Sequence, residues 1–186
     1  MPNQCTCYVD IYSDDDRITK ALIDKMYIMP HDSEFFSSLI TLPDGVKIVD
    51  VKRGDVDVDC NGESCIYLTL WYAWAPPVSL LTELSKECKV NVECAYYEPG
   101  CDMSGKLWVI DGEVIKSNEY NYLEGLFRFV DRDMFWSEIE CELKYKVETK
   151  QLNRNSDVLD LYSYVTFEQD QIEIQRMFAK VLSSNN

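Results

Sequence analysis

Few residues of this chain combine a reactive side chain with a spacing that indicates catalysis. His31 is the only histidine, so a Cys–His pair or a Ser–His–Asp triad would have to include it. It follows Pro30 in a predicted turn, which is more typical of a bystander than of a catalytic base. Paired carboxylates can act as acid and base, but with 33 Asp and Glu residues such pairs arise by chance. We therefore predict no catalytic residue and no enzymatic activity.

Cysteine and aspartate spacings do not indicate a metal site either. The chain has 8 cysteines; Cys5 and Cys7 form one near pair and Cys60 and Cys65 another, but no Cys-x-x-Cys pair is present. A calcium loop beginning at Asp55 needs glycine at its sixth position, where Cys60 stands. Glycine-rich nucleotide-binding motifs are missing as well. The sequence predicts reduced thiols, no metal and no cofactor.

Two rows of acidic residues alternate with apolar residues at the spacing of a β-strand. The rows are Asp55, Asp57 and Asp59, and Glu138, Glu140 and Glu142. On a strand, the side chains of one face recur about every 6.6 Å, which is comparable to the spacing of phosphates along a nucleic-acid strand. The rows therefore predict an acidic surface that imitates a phosphate backbone. The alternative is that they are solvated faces that keep edge strands from pairing.

The charge of the chain restricts its partners. The formal net charge is -15, while 46% of the residues are hydrophobic and 12% aromatic, which favours a folded core over disorder. Direct binding to nucleic acid or to an anionic membrane is disfavoured, because phosphate binding depends on Lys and Arg. A protein with a basic surface is the expected partner. Neither a signal peptide nor a membrane-spanning apolar run is evident, so we expect a cytoplasmic location in a bacterial host cell.

Periodicity predicts an α+β domain over residues 1–120. The pattern gives a strand, a helix opened by Asp14 to Asp16, three strands (Val46 to Val51, Val56 to Cys60 and Cys65 to Trp74), a second helix and further strands. Hairpin turns are predicted at Asn61-Gly62 and Asp111-Gly112. This order is that of a ferredoxin-like sandwich, an antiparallel sheet with helices on one face.

Residues 121–186 are predicted to form a C-terminal strand and helix extension that packs on this domain. Ser137 to Val147 alternates well enough for a strand, although Trp136, Ile139 and Leu143 could also line a helix; we favour the strand. From Ile174 to Leu182 the apolar spacing predicts an amphipathic C-terminal helix.

Three motifs lie in the middle of the chain: Trp71-Tyr72-Ala73-Trp74-Ala75-Pro76-Pro77, Tyr96-Tyr97-Glu98-Pro99-Gly100, and Ser104-Gly105-Lys106 followed by Asp111-Gly112-Glu113. They resemble motifs of the YubB-type ferredoxin-like proteins, which plasmids and phages encode. The opening Met1-Pro2-Asn3 with Cys5 is similar too, but Gln4 stands in place of a tryptophan and Cys7 in place of an asparagine. The resemblance implies a ferredoxin-like fold and a mobile-element origin. No function is established for that family, so it implies no site residue.

These observations support two hypotheses about function. The first is a non-enzymatic phage or plasmid protein whose acidic rows inhibit a basic, nucleic-acid-binding defence complex of the host, such as a CRISPR effector or a restriction enzyme. The second is an adaptor or structural protein that binds another protein through exposed aromatic residues near Trp71, Trp74 and Tyr97. A metal-dependent hydrolase is a distant third. The predicted partner-binding residues are the two acidic rows together with Trp74 and Tyr97.

Overall fold

A computed structural model of the chain describes residues 4–28, 48–58, 64–130, 132–152 and 154–184, with 23–28, 48–58 and 155–156 described as backbone. His31, Asp59, Cys60 and the predicted turn at Asn61-Gly62 lie outside these residues. The chain divides into two compact units, Met1–Gly125 and Leu126–Asn186. We call them the sheet unit and the helical unit. The predicted packing of the C-terminal extension on the domain stays a prediction.

The sheet unit contains one antiparallel sheet. Its strands are β1 (Gln4–Tyr12), β2 (Ile48–Val58), β3 (Ser64–Ala73), β4 (Asn91–Glu98), β5 (Met103–Ile110) and β6 (Glu113–Tyr120). They are ordered β2-β3-β1-β4-β5-β6, and every neighbouring pair is antiparallel. Helix α1 (Asp16–Ile28) joins β1 to β2, and α2 (Val78–Cys88) joins β3 to β4. This is the ferredoxin-like arrangement, extended beyond β4 by a hairpin, and the predicted fold class is confirmed.

One face of the sheet forms the core with both helices. Along β1, buried residues alternate with more exposed ones from Cys5 onward, apart from Thr6, which is also buried. The buried side chains that meet here come from β1, α1 and α2: Cys5, Cys7, Val9, Ile11, Leu22, Leu80, Leu81 and Leu84. Burial of this apolar surface is the main force that holds the helices against the sheet.

The acidic triplet starts α1, as predicted. The Asp15 carboxylate accepts hydrogen bonds from the Arg17 backbone N–H at 3.0 Å and from Arg17 Nη2 at 2.6 Å. These hydrogen bonds lower the pKa of Asp15 to about 2. The triplet is therefore explained by helix-terminal electrostatics.

The turn between β5 and β6 confirms the second predicted hairpin. Asp111 and Gly112 have φ angles of 51° and 80°, the left-handed conformations that a two-residue hairpin turn requires. The Gly112 N–H donates to Ser85 Oγ at 3.2 Å, and Ser85 Oγ donates to the Val90 carbonyl at 2.8 Å. A Cβ at Gly112 would lie 2.8 Å from Cβ of Lys86. Glycine is therefore required both by the turn and by its contact with α2.

The described part of the helical unit contains helices and no strand. They are a π-helical segment (Leu126–Val130), which continues from the short α3 (Tyr122–Gly125) at the end of the sheet unit, then α4 (Arg132–Glu148), α5 (Asn155–Leu161) and α6 (Glu168–Ser184). The predicted C-terminal amphipathic helix is confirmed by α6, which buries Ile174, Phe178 and Val181.

The predicted strand from Ser137 to Val147 is wrong, because these residues belong to α4. Phe135, Ile139 and Leu143 are fully buried, and their spacing of four residues places them on one face of a helix. This spacing outweighs the two-residue alternation of glutamates with apolar residues that favoured the strand.

Candidate binding face

The sheet has a second face, opposite the core, that α1 and α2 do not cover. Its residues are those that alternate with the buried ones along β1, β3, β4 and β5. We call it the open face, and its central members are Tyr8, Asp10, Tyr67, Glu93, Tyr97 and Lys106. The strand register brings them together, since Asp10 lies opposite Tyr67 on β3 and opposite Glu93 on β4.

Aromatic rings occupy the middle and one end of the open face. Tyr8 is 37% exposed and Tyr67 is 41% exposed. The rings of Tyr8 and Tyr97 lie 6.2 Å apart, and those of Tyr97 and Tyr122 5.8 Å apart. This row of contacts orders the rings and leaves part of their surface accessible, as in protein-binding surfaces rich in tyrosine.

Glu93 is the anchored carboxylate of the open face. Its Oε2 lies 2.6 Å from Lys106 Nζ, and its Oε1 accepts a hydrogen bond from the Tyr12 hydroxyl at 3.2 Å. Burial alone would raise the pKa of Glu93. The hydrogen bond and positive charge of Lys106, together with the hydrogen bond from Tyr12, lower the pKa overall. Burial and Glu93 in turn raise the pKa of Tyr12 to about 12, so that hydroxyl remains a donor at neutral pH.

Asp10 is the neighbouring carboxylate and differs from Glu93. Burial raises its pKa, the charge of Lys106 opposes this and the charge of Glu93 adds to it. Lys106 itself is committed to Glu93, and its Nζ lies 5.1 Å from the centroid of the Trp108 ring. The open face thus presents an ionisable carboxylate that has a weaker set of partners than its neighbour.

The structure describes only part of the predicted aspartate row. β2 is an edge strand of the described sheet, and Asp57 occupies the register position opposite Cys65. Asp55 falls between Arg53 and Val56, where the register shifts and the two-residue alternation of the strand is interrupted. Asp59 lies outside the described residues. A row on a sheet edge therefore stays a prediction, and its regular spacing is interrupted at Asp55.

The predicted glutamate row does not exist as a row. Glu140 pairs with Lys144 at 2.8 Å, whereas Glu142 lies 3.3 Å from Lys146 and accepts a hydrogen bond from the Tyr162 hydroxyl at 2.7 Å. Residues two apart on a helix point in different directions, so Glu140 does not share a face with Glu138 and Glu142. The prediction was wrong because it depended on the strand.

Trp74 and Tyr97 lie towards the same end of the sheet. Trp74 follows Ala73, which pairs with Gln4, and Tyr97 pairs with Thr6. Trp74 is 55% exposed, whereas Tyr97 is half-buried between neighbouring rings. Their assignment as partner-binding residues stays a prediction, with Trp74 the more accessible of the two.

Sequence reasoning missed Tyr8, Asp10, Tyr67, Glu93 and Lys106 as one surface. A signal was available in β1, where Tyr8, Asp10 and Tyr12 alternate with Val9 and Ile11. The pairing of β1 with β3 and β4, which gathers these side chains, depends on contacts between distant parts of the chain.

The described cysteines are free thiols. Cys5, Cys7 and Cys94 are fully buried, and Sγ of Cys5 lies 3.8 Å from Sγ of Cys7. The hydrogen bond with Cys7 and burial both raise the pKa of the Cys5 thiol, which keeps it in its unreactive, protonated form. Across the described ranges, no group of three or more His, Cys, Asp and Glu residues is arranged to hold a metal ion. A helix long and apolar enough to cross a membrane is likewise not found among those residues.

Comparison with known proteins shows that one segment of the chain is similar to a family of ferredoxin-like domains. Residues 52–125 match the model of a family described as a ferredoxin-like domain in Api92-like protein. A similar solved structure is the crystal structure of a protein api92 from Yersinia pseudotuberculosis, with 23% sequence identity and a TM-score of 0.31. That match covers 47% of this chain and 29% of the other, so this chain spans less than a third of that protein. No curated protein matches the chain. The family match supports the ferredoxin-like assignment, while the YubB-type resemblance and the mobile-element origin stay predictions.

Proposed function

We propose that this chain is a non-enzymatic protein-binding protein, and that its open face binds a partner with a basic surface. The observation that carries the proposal is the composition of that face. Exposed tyrosines surround two carboxylates on a sheet whose other face is already filled by its own helices. Aromatic residues at the centre of an interface supply most of its binding energy, and acids around them favour a basic partner.

The charge distribution supports a protein partner over nucleic acid. Residues 1–125 contain 22 of the 33 acidic residues and 10 of the 18 basic ones. A phosphate backbone would be repelled by such a unit even though its tyrosines could stack on bases. The cations Lys106 and Lys116 lie over the Trp108 ring, with Nζ 5.1 Å and 4.4 Å from its centroid, and Lys106 is also paired with Glu93.

The partner class that we propose is a basic, nucleic-acid-binding protein or complex of a bacterial host. A phage or plasmid would gain from inhibiting a defence complex of this kind, such as a CRISPR effector or a restriction enzyme, in the host cytoplasm. The support for this is the net charge of -15 and the motifs that resemble mobile-element proteins. The glutamate row no longer contributes to the proposal, and the predicted aspartate row of Asp55, Asp57 and Asp59 stays a prediction.

Capture of the partner tests the proposal. The immobilised chain is exposed to nuclease-treated bacterial lysate at about 0.1 M and about 1 M salt, between which the Debye length falls from about 10 Å to about 3 Å. The double variant Tyr8→Ser, Tyr67→Ser removes the central rings, and Tyr145→Ser on α4, where Tyr145 is 60% exposed, is the matched control. We expect the double variant to weaken capture about thirtyfold or more, as loss of central interface residues does, and the control to leave it unchanged.

The salt series separates the two original hypotheses. Capture that falls steeply at the higher salt supports a basic partner, whereas capture that depends on the tyrosines but not on salt supports an uncharged adaptor surface. The proposal is wrong if the double variant and the control capture the same proteins in the same amounts.

A further inference from the structure

Among the described residues of the open face, Asp10 is a carboxylate that could accept hydrogen bonds from a positively charged group of a partner. Glu93 is engaged by Lys106 at 2.6 Å and by the Tyr12 hydroxyl at 3.2 Å. Asp10, directly opposite it in the register, accepts no hydrogen bond from the side chains that the structure describes. A half-buried carboxylate without donors is unfavourable in the isolated protein, and a bound donor would correct this.

The groups around Asp10 leave it as the acceptor on this face. Among the described side chains, Lys106 on β5 is the cation whose charge acts on Asp10, and it is already bound to Glu93. Of the described residues, Cys65 on β3 and Tyr12 on β1 also lie on this face; burial is the first cause that raises the pKa of each, so both stay neutral near pH 7. Tyr67 lies opposite Asp10 on β3 and is 41% exposed, so an aromatic ring borders the carboxylate on the side away from Glu93.

We infer that Asp10 receives an arginine side chain of the partner protein, an inference that rests on the proposed function. A guanidinium group donates two parallel hydrogen bonds to a carboxylate, and its flat face packs on an aromatic ring. Asp10 provides the carboxylate, and the exposed ring of Tyr67 provides the aromatic surface. This unit contains 22 acidic and 10 basic residues, and its excess of negative charge favours the approach of a cationic group.

Two short peptides test the inference without the natural partner. N-acetyl-Gly-Arg-Gly-amide is titrated into the full chain and followed by NMR, and the same peptide with citrulline in place of arginine is the probe control. Citrulline has nearly the same shape but no charge. We expect the arginine peptide to shift the amide signals of Asp10, Glu93 and Tyr67, and the citrulline peptide to bind about tenfold more weakly or not at all.

Variants locate the binding to Asp10. Asp10→Asn should weaken the arginine peptide about tenfold. Glu119→Gln makes the same change of charge on β6, opposite Gly105 and therefore on the core side of the sheet, and should have little effect. Equal weakening by the two variants, or equal binding of arginine and citrulline peptides, would overturn the inference.

The peptide titration and the capture experiment together separate failure of the Asp10 inference from failure of the proposed function. If the arginine peptide does not bind but Tyr8→Ser, Tyr67→Ser still abolishes capture, the open face binds its partner by another contact and only the role of Asp10 is wrong. If neither experiment responds, the proposed function fails as well.

Discussion

Two carboxylates that face each other across neighbouring strands have different surroundings. Hydrogen bonds from Lys106 and Tyr12 lower the pKa of Glu93 against the effect of burial, whereas burial raises the pKa of Asp10. A residue whose charged form is disfavoured in the folded protein reduces stability. Such residues are retained where binding or activity needs them.

Asp10→Asn should therefore stabilise the free protein at neutral pH. The pKa of Asp10 in the folded chain lies above the ordinary value of 3.8, so the folded state binds a proton more readily than the unfolded state. Its ionisation consequently lowers the free energy of unfolding above the raised pKa, and this loss disappears as the pH falls below 3.8. The gain at pH 7 should be under about 1 kcal/mol, because solvent screens a half-buried group.

Urea unfolding of the wild-type chain and Asp10→Asn at pH 7 and at about pH 3 measures this difference. We expect a higher free energy of unfolding for the variant at pH 7 and nearly equal values in acid, where Asp10 is protonated. A variant that is less stable than the wild type at pH 7 would show that the Asp10 carboxylate is satisfied within the folded chain.

For single residues, the sequence indicated which side chains of β1 lie on the open face, but not which side chains of other strands they contact. Tyr8, Asp10 and Tyr12 could be assigned to the face opposite Val9 and Ile11 from β1 alone. The pairing of Lys106 with Glu93 depends on the position of Lys106, which β5 brings next to β4. Contacts between strands that are distant in sequence cannot be derived from the periodicity of either strand.

Among the elements, most strands and the β5–β6 hairpin were predictable and α4 was not. The separate strands predicted at Val46 to Val51 and Val56 to Cys60 were wrong, because the described residues 48–58 form the single strand β2. The Asp111-Gly112 dipeptide specified its turn through the left-handed preference of its residues. In α4, the spacing of Phe135, Ile139 and Leu143 competes with the alternation of three glutamates over the same stretch. Helical burial decides the outcome because those three apolar residues are all fully buried, whereas Glu140 and Glu142 are satisfied by lysines one turn away.

The connection between β3 and α2 contains a conformation that is costly for its residue. Trp74 has a φ of 71°, and the Ala75 N–H donates to the Ala73 carbonyl at 2.9 Å, so Trp74 is the central residue of a γ-turn. Positive φ is uncommon for a bulky residue, and this turn type is strained. Backbone strain beneath an exposed indole favours a binding role for Trp74 over a structural one.

Replacement of Trp74 by glycine and by alanine tests this interpretation. Both variants remove the indole, but only glycine adopts a positive φ without steric cost. We expect Trp74→Gly to be about 1 kcal/mol more stable than Trp74→Ala, the reverse of the usual order, and both to weaken partner capture equally. Thermal unfolding gives the first comparison. If Trp74→Ala is the more stable variant, the turn is unstrained; if capture is unchanged in both, Trp74 is not part of the interface.

The whole molecule combines an acidic sheet unit with a more balanced helical unit. Residues 126–186 contain 11 acidic and 8 basic residues, against 22 and 10 in residues 1–125. The ferredoxin-like fold of the first unit was predictable because its strands and helices alternate in a characteristic order. The binding surface was not, since the most visible charge pattern, the glutamate row, lies on a helix of the second unit, where Glu140 and Glu142 pair with lysines of the same helix.

Hydroxyl-radical footprinting of the captured complex tests the central claim, that the open face is the binding surface, most directly. Oxidation of each exposed aromatic side chain is compared between the free chain and the complex by mass spectrometry. We expect Tyr8 and Tyr67 to become protected, while Tyr145 and Phe167, which are 60% and 64% exposed, are oxidised as before. Unchanged oxidation of Tyr8 and Tyr67 with protection of Tyr145 or Phe167 would contradict this claim and place the interface on the helical unit.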